Sequence, residues 1–142
     1  MMKPIKIVFD TNAYLAALKR DSYASIHLKR SQPNGPYLLF ISPEIIIEIR
    51  AKLEDKFGYS VSESADFVEM VLKYAVLVQP RRRLKAVLRD KDDHKILECA
   101  LQAEADIIIT ADRGMLRLKE FENIKIVHPS MLKYWFPAGN SK

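Results

Sequence analysis

Two aspartates directly follow stretches that the sequence predicts to be buried strands. Asp10 comes after the apolar run IKIVF at 5–9, and Asp112 lies just past DIIIT at 106–110. An isolated carboxylate is costly to bury, so Asp10 needs hydrogen bonds, a cation or a metal ion. If the two strands are neighbours, the two carboxylates would repel one another, and a divalent cation is the usual remedy. Metal binding is therefore the chemistry that these two residues could support.

Each of these acids also has a simpler interpretation as a helix cap. Asp10 or Asn12 could cap the helix that follows the first strand, and Asp112 could cap a short helix beginning at Arg113. Short polar side chains accept hydrogen bonds from the free amides at a helix start. Taken alone, capping is the favoured interpretation of Asp10. A metal site requires further acids that arrive at the same place from elsewhere in the chain.

The acidic stretch RDKDDHK at 89–95 supplies one such residue, Asp93. Helical spacing places Asp93 on the same face as three apolar residues, Ile96, Leu97 and Ala100. Asp93 is therefore predicted to point inward, which capping and the helix dipole do not explain. Asp90 and Asp92 are better suited to that structural work, and His94 is interpreted as an ordinary surface histidine.

Glu48 is ambiguous from its pattern. It lies in a helix predicted to start with Ser42 as cap and Pro43 at the first helical position, and to end at Gly58. The apolar face of this helix is made by Ile45, Ile46, Ile49, Leu53 and Phe57. Glu48 projects from the flank, and an exposed ion pair with Lys52, four residues on, is the favoured interpretation.

The elements that would position these acids alternate between strands and helices. Such alternation predicts a parallel sheet with helices on both faces, where sites form outside the carboxyl ends of the strands. The predicted strands are 5–9, 37–41, 75–80, 106–110 and 124–127. The predicted helices are 12–30, one from Pro43 to Gly58, one at about 62–75 after a capping box at Ser60–Glu63, 92–105, 113–121, and one beginning near 129–130.

Length and composition predict one intracellular domain. A chain of 142 residues buries enough surface for one core, so we expect a single domain over 1–136 and a frayed tail at 137–142. The one cysteine, Cys99, lies in an apolar helical pattern, which suits a reducing cytoplasm and argues against a zinc site. No signal peptide or membrane-spanning run is predicted.

The net charge of +5 raises the odds of a polyanionic partner without identifying one. The charge is concentrated in RRRLK at 81–85, where Arg81, Arg82, Arg83 and Lys85 stand close together. These residues could hold a nucleic-acid backbone, or they could form a solvated loop. Both interpretations stay open.

Five motifs together resemble the PIN domain family of metal-dependent ribonucleases. The resemblance covers nearly the whole chain and is greatest to the toxin components of toxin-antitoxin systems. The motifs are FDTN at 9–12, SPEIIIEIRAKL at 42–53, DKDDHKILECA at 90–100, DIIITAD at 106–112 and IVHPSML at 126–132. No single motif is diagnostic, but their order and spacing are specific.

The resemblance implies a fold and a site. The fold is a three-layer α/β/α sandwich around a parallel sheet of about five strands, and the site is an acidic pocket for Mg²⁺ or Mn²⁺. The implied site residues are the acids Asp10, Glu48, Asp93 and Asp112, with Asn12 and Thr110 in support. The resemblance thus assigns Glu48 to the site although its helical pattern favours an exposed position, and Glu44 takes its place if the alignment shifts by one turn. Two departures from the family pattern are His94, where many relatives carry aspartate or asparagine, and Glu104–Ala105 in place of a glycine.

Three functions follow as hypotheses. The favoured one is an endoribonuclease that acts on RNA as a toxin and is silenced by an antitoxin protein, with a homodimer through the helix at 62–75 as a further expectation. The second is an inactive RNA-binding or scaffold domain. The third is a receiver-type signalling domain, ranked last because that fold expects an aspartate after its third strand and a lysine after its fifth, where this chain has Gln79–Pro80 and His128–Pro129.

Overall fold

A computed structural model of the chain describes residues 4–18, 37–84 and 92–131, without the side chain of Asp92. Within these ranges the chain forms six strands, five α-helices and one 3₁₀ helix. The strands are β1 (Ile5–Phe9), β2 (Tyr37–Ile41), β3 (Ala75–Leu77), β4 (Ile107–Ile109), β5 (Glu120–Phe121) and β6 (Ile124–Val127). The α-helices are α1 (Thr11–Ala16), α2 (Pro43–Lys56), α3 (Val61–Leu72), α4 (Asp92–Ala103) and α5 (Arg113–Leu116), and the 3₁₀ helix is Pro129–Met131.

The strands form one sheet in the order β3-β2-β1-β4-β6-β5. Every pairing is parallel except that of β5 with β6. β1 and β4 are neighbours, with Phe9 opposite Ile109, so the condition under which Asp10 and Asp112 would lie close together is met. The chain moves outward from β1 to β2 and β3 and then returns to β4 on the other side. The crevice between β1 and β4 is therefore the switch point at which open sheets of this kind bind ligands.

The helices cover both faces of the sheet. Right-handed crossovers place α1, α2 and α3 on one face, and α4 and α5 on the other. Accordingly, α2 contacts α1 and α3, while α4 contacts β1, β2 and β4. The predicted three-layer α/β/α fold is confirmed. Within the described ranges no helix is both long and apolar enough to cross a lipid bilayer.

The central strands anchor the core. The side chains of Ile7, Val8 and Phe9 are fully buried, as is Ile108 in the adjacent β4. Burying an aliphatic or aromatic side chain of this size stabilises the fold by about 1.5–3 kcal/mol. The hydroxyl of Tyr14 donates a 2.7 Å hydrogen bond to the carbonyl oxygen of Phe40, so α1 is fixed to β2 without an unpaired polar group in the core.

Local signals set the ends of α2 and α3. The Ser42 hydroxyl accepts a 3.3 Å hydrogen bond from the Ile45 amide, with Pro43 at the first helical position. Gly58 adopts a φ of +71°, which ends α2. Ser60 and Glu63 form the predicted capping box, with two reciprocal hydrogen bonds of 3.0 Å. Because α2 starts directly at the end of β2, its first turns lie beside the carboxyl edge of the sheet.

Several predicted boundaries were wrong or lie outside the described residues. The helix predicted over 113–121 stops at Leu116, because Lys119 has a φ of +62° and the chain then forms β5. Glu122 and Asn123 have φ values of +46° and +71°, typical of a type I′ hairpin turn, which joins β5 to β6. The strand predicted over 75–80 ends at Leu77. The helix predicted over 12–30 is α1 up to Ala16 and leaves the described residues after Leu18, and the closing helix is described only as Pro129–Met131.

Candidate active site

A small cavity opens at the carboxyl edge of the sheet, where β1 and β4 end. Its volume is about 90 Å³. Carboxylates from four separate segments line it: Asp10, Glu48, Asp93 and Asp112. The other lining residues are Thr11, Asn12, Lys52 and Ile96. Acids that are distant along the sequence thus share one concave surface, at the place that the topology favours for a ligand.

Asp10 is held in place by both of its carboxylate oxygens. It is the N-cap of α1, and its Oδ1 accepts a 2.8 Å hydrogen bond from the Ala13 amide. Its Oδ2 accepts a hydrogen bond from the hydroxyl of Thr110, which is fully buried after β4. The Asp10 side chain is itself only 7% exposed. Capping and cavity lining, which the sequence offered as alternatives, are therefore roles of the same carboxylate.

Thr110 connects Asp10 to Asp112. Its Oγ1 donates to Asp10 and also accepts a 3.0 Å hydrogen bond from the Asp112 amide. Asp112 is the N-cap of α5, and its Oδ2 accepts a 2.8 Å hydrogen bond from the Met115 amide. A Cβ placed on Gly114 would stand 3.1 Å from that same oxygen. Backbone amides and one buried hydroxyl therefore position both strand-end acids.

The pKa of Asp10 is raised above its ordinary value of 3.8. The main cause is burial, which penalises the charged carboxylate, and the negative charge of Asp112 acts in the same direction. The hydrogen bonds from Thr110 and Ala13 and the charge of Lys52 oppose this shift without cancelling it. A cation entering the cavity would favour the ionised form of Asp10.

Glu48 is held by lysines rather than by backbone amides. Lys95 of α4 donates a hydrogen bond to Glu48 Oε2, and Lys52 lies 3.5 Å from Glu48 Oε1. Lys52 also donates a 3.1 Å hydrogen bond to Asn12 Oδ1. The predicted pair between Glu48 and Lys52 is present, but the Glu48 side chain is only 15% exposed rather than on an open helix flank. Lys95 thus links helices on the two faces of the sheet, whereas Lys52 links α2 to α1 on one face.

The pKa of Glu48 is lowered from its ordinary value of 4.5. Burial alone would raise it, but the hydrogen bonds from Lys95 and Thr11, together with the charges of Lys95 and Lys52, outweigh that effect. The Thr11 hydroxyl is close enough to contribute to this shift, although it makes no hydrogen bond of normal geometry within the described part of the chain. Glu48 is therefore fully ionised at neutral pH, and two ammonium groups accompany it.

Asp93 reaches the cavity from α4, on the face of the sheet opposite to α2. Its side chain is half-buried, and the three apolar residues that share its helical face, Ile96, Leu97 and Ala100, are buried. The helical spacing that predicted an inward-pointing acid therefore agrees with the position of Asp93. His94 is also half-buried but does not line the cavity.

The remaining predicted residues lie elsewhere. Glu44, the fallback for Glu48, lies 3.4 Å from Arg83 and does not line the cavity. Arg83 also contacts the nearly buried Glu98 at 3.1 Å, and Arg82 lies 2.8 Å from Glu122. Arg81 is exposed, and its amide donates to the side chain of Gln102. Lys85 and Asp90 are outside the described residues. Two of the three arginines of this loop are thus already paired with acids.

The donor atoms of the cavity suit a divalent ion. All four acids and Asn12 offer oxygen, which Mg²⁺ and Mn²⁺ prefer, and the burial that raises the pKa of Asp10 penalises a carboxylate that a cation would stabilise. However, within 4–18, 37–84 and 92–131 no three acid, histidine or cysteine side chains already stand as a metal-binding group. The chemistry of the site therefore fits a metal ion, while the acids would have to draw closer around it.

Lys52 and Lys95 are the functional candidates that sequence reasoning did not single out. Lys52 was identified only as a partner of Glu48, four residues away on α2. Lys95 lies two residues from Asp93, a spacing at which helical side chains do not face each other. Its reach to Glu48 depends on how α2 and α4 approach one another, 47 residues apart in sequence. The i,i+4 spacing from Glu48 is a sequence signal for Lys52, and no comparable signal marks Lys95.

Comparison with known proteins agrees with the sequence motifs. A family model described as a PIN domain matches residues 6–114. The uncharacterized protein MJ1680 of Methanocaldococcus jannaschii is 27% identical over 120 residues, which are 82% of this chain and 76% of that protein. Among solved structures, VapBC2 from Rickettsia felis, crystallised with a DNA fragment from its promoter, superposes with a TM-score of 0.62 at 12% identity. That match covers 87% of this chain and 98% of the other and supports the fold.

Proposed function

Because the chain belongs to the PIN domain family, we propose that it is a Mg²⁺- or Mn²⁺-dependent endoribonuclease that hydrolyses phosphodiester bonds in single-stranded or structured RNA. PIN domains are generally nucleases, and they typically use divalent metals. The observation that carries the proposal is the convergence of Asp10, Glu48, Asp93 and Asp112 on one cavity at the switch point of the sheet. Such carboxylates repel each other unless a cation lies among them.

The proposed mechanism assigns a task to each of these groups. Asp10, Asp93 and Asp112 would hold the divalent ion, which when bound lowers the pKa of a water molecule and neutralises charge on the attacked phosphate. Glu48 would bind a second ion or orient the attacking water. Thr110 keeps Asp10 and Asp112 in position, and Asn12 helps to place Lys52. The basic residues Arg81, Arg82, Arg83 and Lys85 would add weaker contacts to the RNA backbone.

The proposed biological role is that of a toxin that an antitoxin protein silences. This role is supported by the sequence motifs described above and by the likeness in fold to VapBC2. We expect expression of the chain alone to stop growth of a bacterial host, and Asp10→Asn to relieve the arrest. Growth arrest that persists with Asp10→Asn would contradict a nuclease toxin.

A second candidate function is binding to RNA without cleavage. The ion pairs of Glu48 with Lys52 and Lys95, and the lack of a ready metal-binding group among the described residues, favour this alternative. The two functions differ in a simple observable. A binding domain retains RNA without cutting it at any concentration of Mg²⁺ or Mn²⁺.

The decisive experiment is a metal titration that follows both thermal stability and cleavage of a labelled single-stranded RNA. We expect Mn²⁺ to raise the melting temperature of the wild type and to switch on cleavage. Asp10→Asn, Asp93→Asn and Asp112→Asn should each lose cleavage while remaining folded by circular dichroism. Asp66→Asn, an exposed change on α3, is the matched control. Cleavage that survives in the three purified variants would refute the proposal.

A further inference from the structure

A second concavity adjoins the acidic cavity along the outer face of α2. Its volume is about 340 Å³. We call it the α2 groove and define it by the seven residues that line it, Ile47, Glu48, Ala51, Lys52, Asp55, Lys56 and Lys95. On α2 these residues extend over ten positions, from 47 to 56, or about 14 Å along the helix axis. Glu48 and Lys52 line both the groove and the acidic cavity, so the two spaces are contiguous.

The charge of the α2 groove is the opposite of that of the cavity. Three ammonium groups line the groove, from Lys52, Lys56 and Lys95, against the carboxylates of Asp55 and the shared Glu48. Lys52 and Lys95 are partly neutralised by Glu48. Lys56 is exposed and forms no salt bridge with any residue in the described part of the chain. Lys56 therefore offers an ammonium group that is unpaired within the described ranges, at the end of the groove away from the cavity, where Asp55 is the other charged residue.

An exposed apolar side chain accompanies these lysines. Ile47 is 68% exposed, although large aliphatic residues on a surface helix normally face the core, and Ala51 stands one turn further along the same face. An aliphatic row, Ile47 and Ala51, beside an ammonium row, Lys52 and Lys56, matches a nucleic-acid strand, whose phosphates need cations and whose bases and sugars present flat apolar surface.

We propose that the α2 groove binds the RNA strand on one side of the phosphodiester that the acidic cavity attacks. This inference rests on the proposed nuclease function and assigns its substrate path. Lys56 contacts a phosphate beyond the attacked one, Lys52 stands between groove and cavity beside the attacked phosphate, and Ile47 packs against a base or sugar. The path follows α2 because there the cations lead directly into the acidic cavity.

Two observations favour this path over other interpretations. The arginine loop at 81–83 is a weaker candidate for the main RNA contact, because Arg82 and Arg83 are already paired with acids. An acidic peptide would also suit the lysines, but the apolar part of the groove is small, Ile47 and Ala51, whereas protein interfaces have larger apolar centres.

The test measures binding separately from cleavage. Fluorescence anisotropy with a labelled single-stranded oligoribonucleotide in Ca²⁺ or EDTA would compare the wild type with Lys56→Glu and Ile47→Ala. Lys73→Glu makes the same charge change at an exposed position that lines neither space, and serves as the matched control. We expect Lys56→Glu to weaken binding about ten-fold at low salt and to reduce the salt slope by about one. Ile47→Ala should weaken it about three-fold.

Kinetics supply an independent readout. Since the groove holds substrate and transition state alike, Lys56→Glu should raise KM and leave kcat unchanged. If Lys56→Glu and Ile47→Ala both bind RNA with wild-type affinity, the inference is overturned, whether or not the protein cleaves RNA. Binding of an acidic peptide to the α2 groove in that case would identify the other occupant. If the wild type never cleaves RNA but Lys56→Glu still weakens binding, the nuclease proposal fails and the α2 groove is an RNA-binding surface rather than a substrate path.

Discussion

The two halves of the acidic cavity are built by different kinds of interaction. In the half at the strand ends, Asp10 and Asp112 are fixed by backbone amides and by the buried Thr110 hydroxyl. In the half between the helices, Glu48 is fixed by ammonium groups on long, flexible side chains. The first arrangement is set by the fold itself, whereas the second can rearrange when a ligand arrives. We infer that the strand ends provide fixed ligands and the helices provide an adaptable wall.

The largest expected difference between the two halves is in catalysis. Asp112→Asn keeps an acceptor for the Met115 amide but removes a charge that would hold the metal, so we expect metal-dependent cleavage to fall by roughly 10³-fold, equivalent to about 4 kcal/mol. Glu48→Gln should cost only about ten-fold, because lysines already neutralise Glu48. Single-turnover cleavage at saturating Mn²⁺ measures both values. Equal losses in the two variants would show that the halves do not differ in this way.

The next difference is in stability. Thr110→Val removes the hydroxyl that serves both Asp10 and Asp112, and should lower the free energy of unfolding by about 1–3 kcal/mol. Thr11→Val is the comparison, because the Thr11 hydroxyl is also buried but makes no hydrogen bond of normal geometry within the described residues and acts only on the pKa of Glu48. We expect that variant to change stability by less than about 0.5 kcal/mol. Urea denaturation of both proteins without metal gives the comparison.

The two halves should also respond to pH in opposite directions. The pKa of Asp10 in the folded protein is raised above 3.8 by burial, so its stabilising contribution is complete below that pH and is lost as pH rises through the folded-state pKa. The pKa of Glu48 is lowered below 4.5: burial alone would raise it, but its lysine partners outweigh that effect. Its contribution is therefore present above 4.5 and is lost as pH falls through the folded-state pKa.

Melting temperatures measured in a chelator across the acidic range would check these signs. Relative to the wild type, Asp10→Asn should become more stable as pH rises, and Glu48→Gln should become less stable. Parallel pH profiles for the two variants would contradict the assignment of opposite shifts.

The smallest expected effect concerns two glycines. Gly114→Ala places a Cβ 3.1 Å from Asp112 Oδ2, so the carboxylate must move by tenths of an ångström, and we expect cleavage to fall roughly five-fold with stability unchanged or improved. Gly58→Ala meets no neighbouring atom but forces alanine into a φ of +71°. It should cost about 1 kcal/mol of stability and leave cleavage unchanged. The opposite pattern in the two variants would mean that Asp112 is not positioned as described.

Much of the strand-end half could be predicted from the sequence. Continuous apolar runs predicted β1 and β4, and the layer rules brought Asp10 and Asp112 to one edge. Helical spacing alone predicted that Asp93 points inward. The resemblance to the PIN domain family is confirmed by the match over residues 6–114. These signals are local, because residues only a few positions apart determine strand burial, helix caps and helix faces.

The helix half could not be predicted in the same way. The pattern of α2 favoured an exposed Glu48, and only the family resemblance promoted it over Glu44. The contact between Lys95 and Glu48, and the pairing of Arg83 with Glu44 and Glu98, depend on how separate layers pack. The strand β5 was missed because its turn uses Glu122 and Asn123, neither of them a glycine, in left-handed conformations.

The Thr110 hydroxyl has a consequence for how this chain can vary. A single oxygen positions two acids that lie far apart in the sequence, Asp10 and Asp112. Substitutions at either acid will therefore be felt by the other, and their energetic effects will not simply add. We therefore expect Asp10 and Asp112 to be retained together or lost together, because a change at one alters the position of the other.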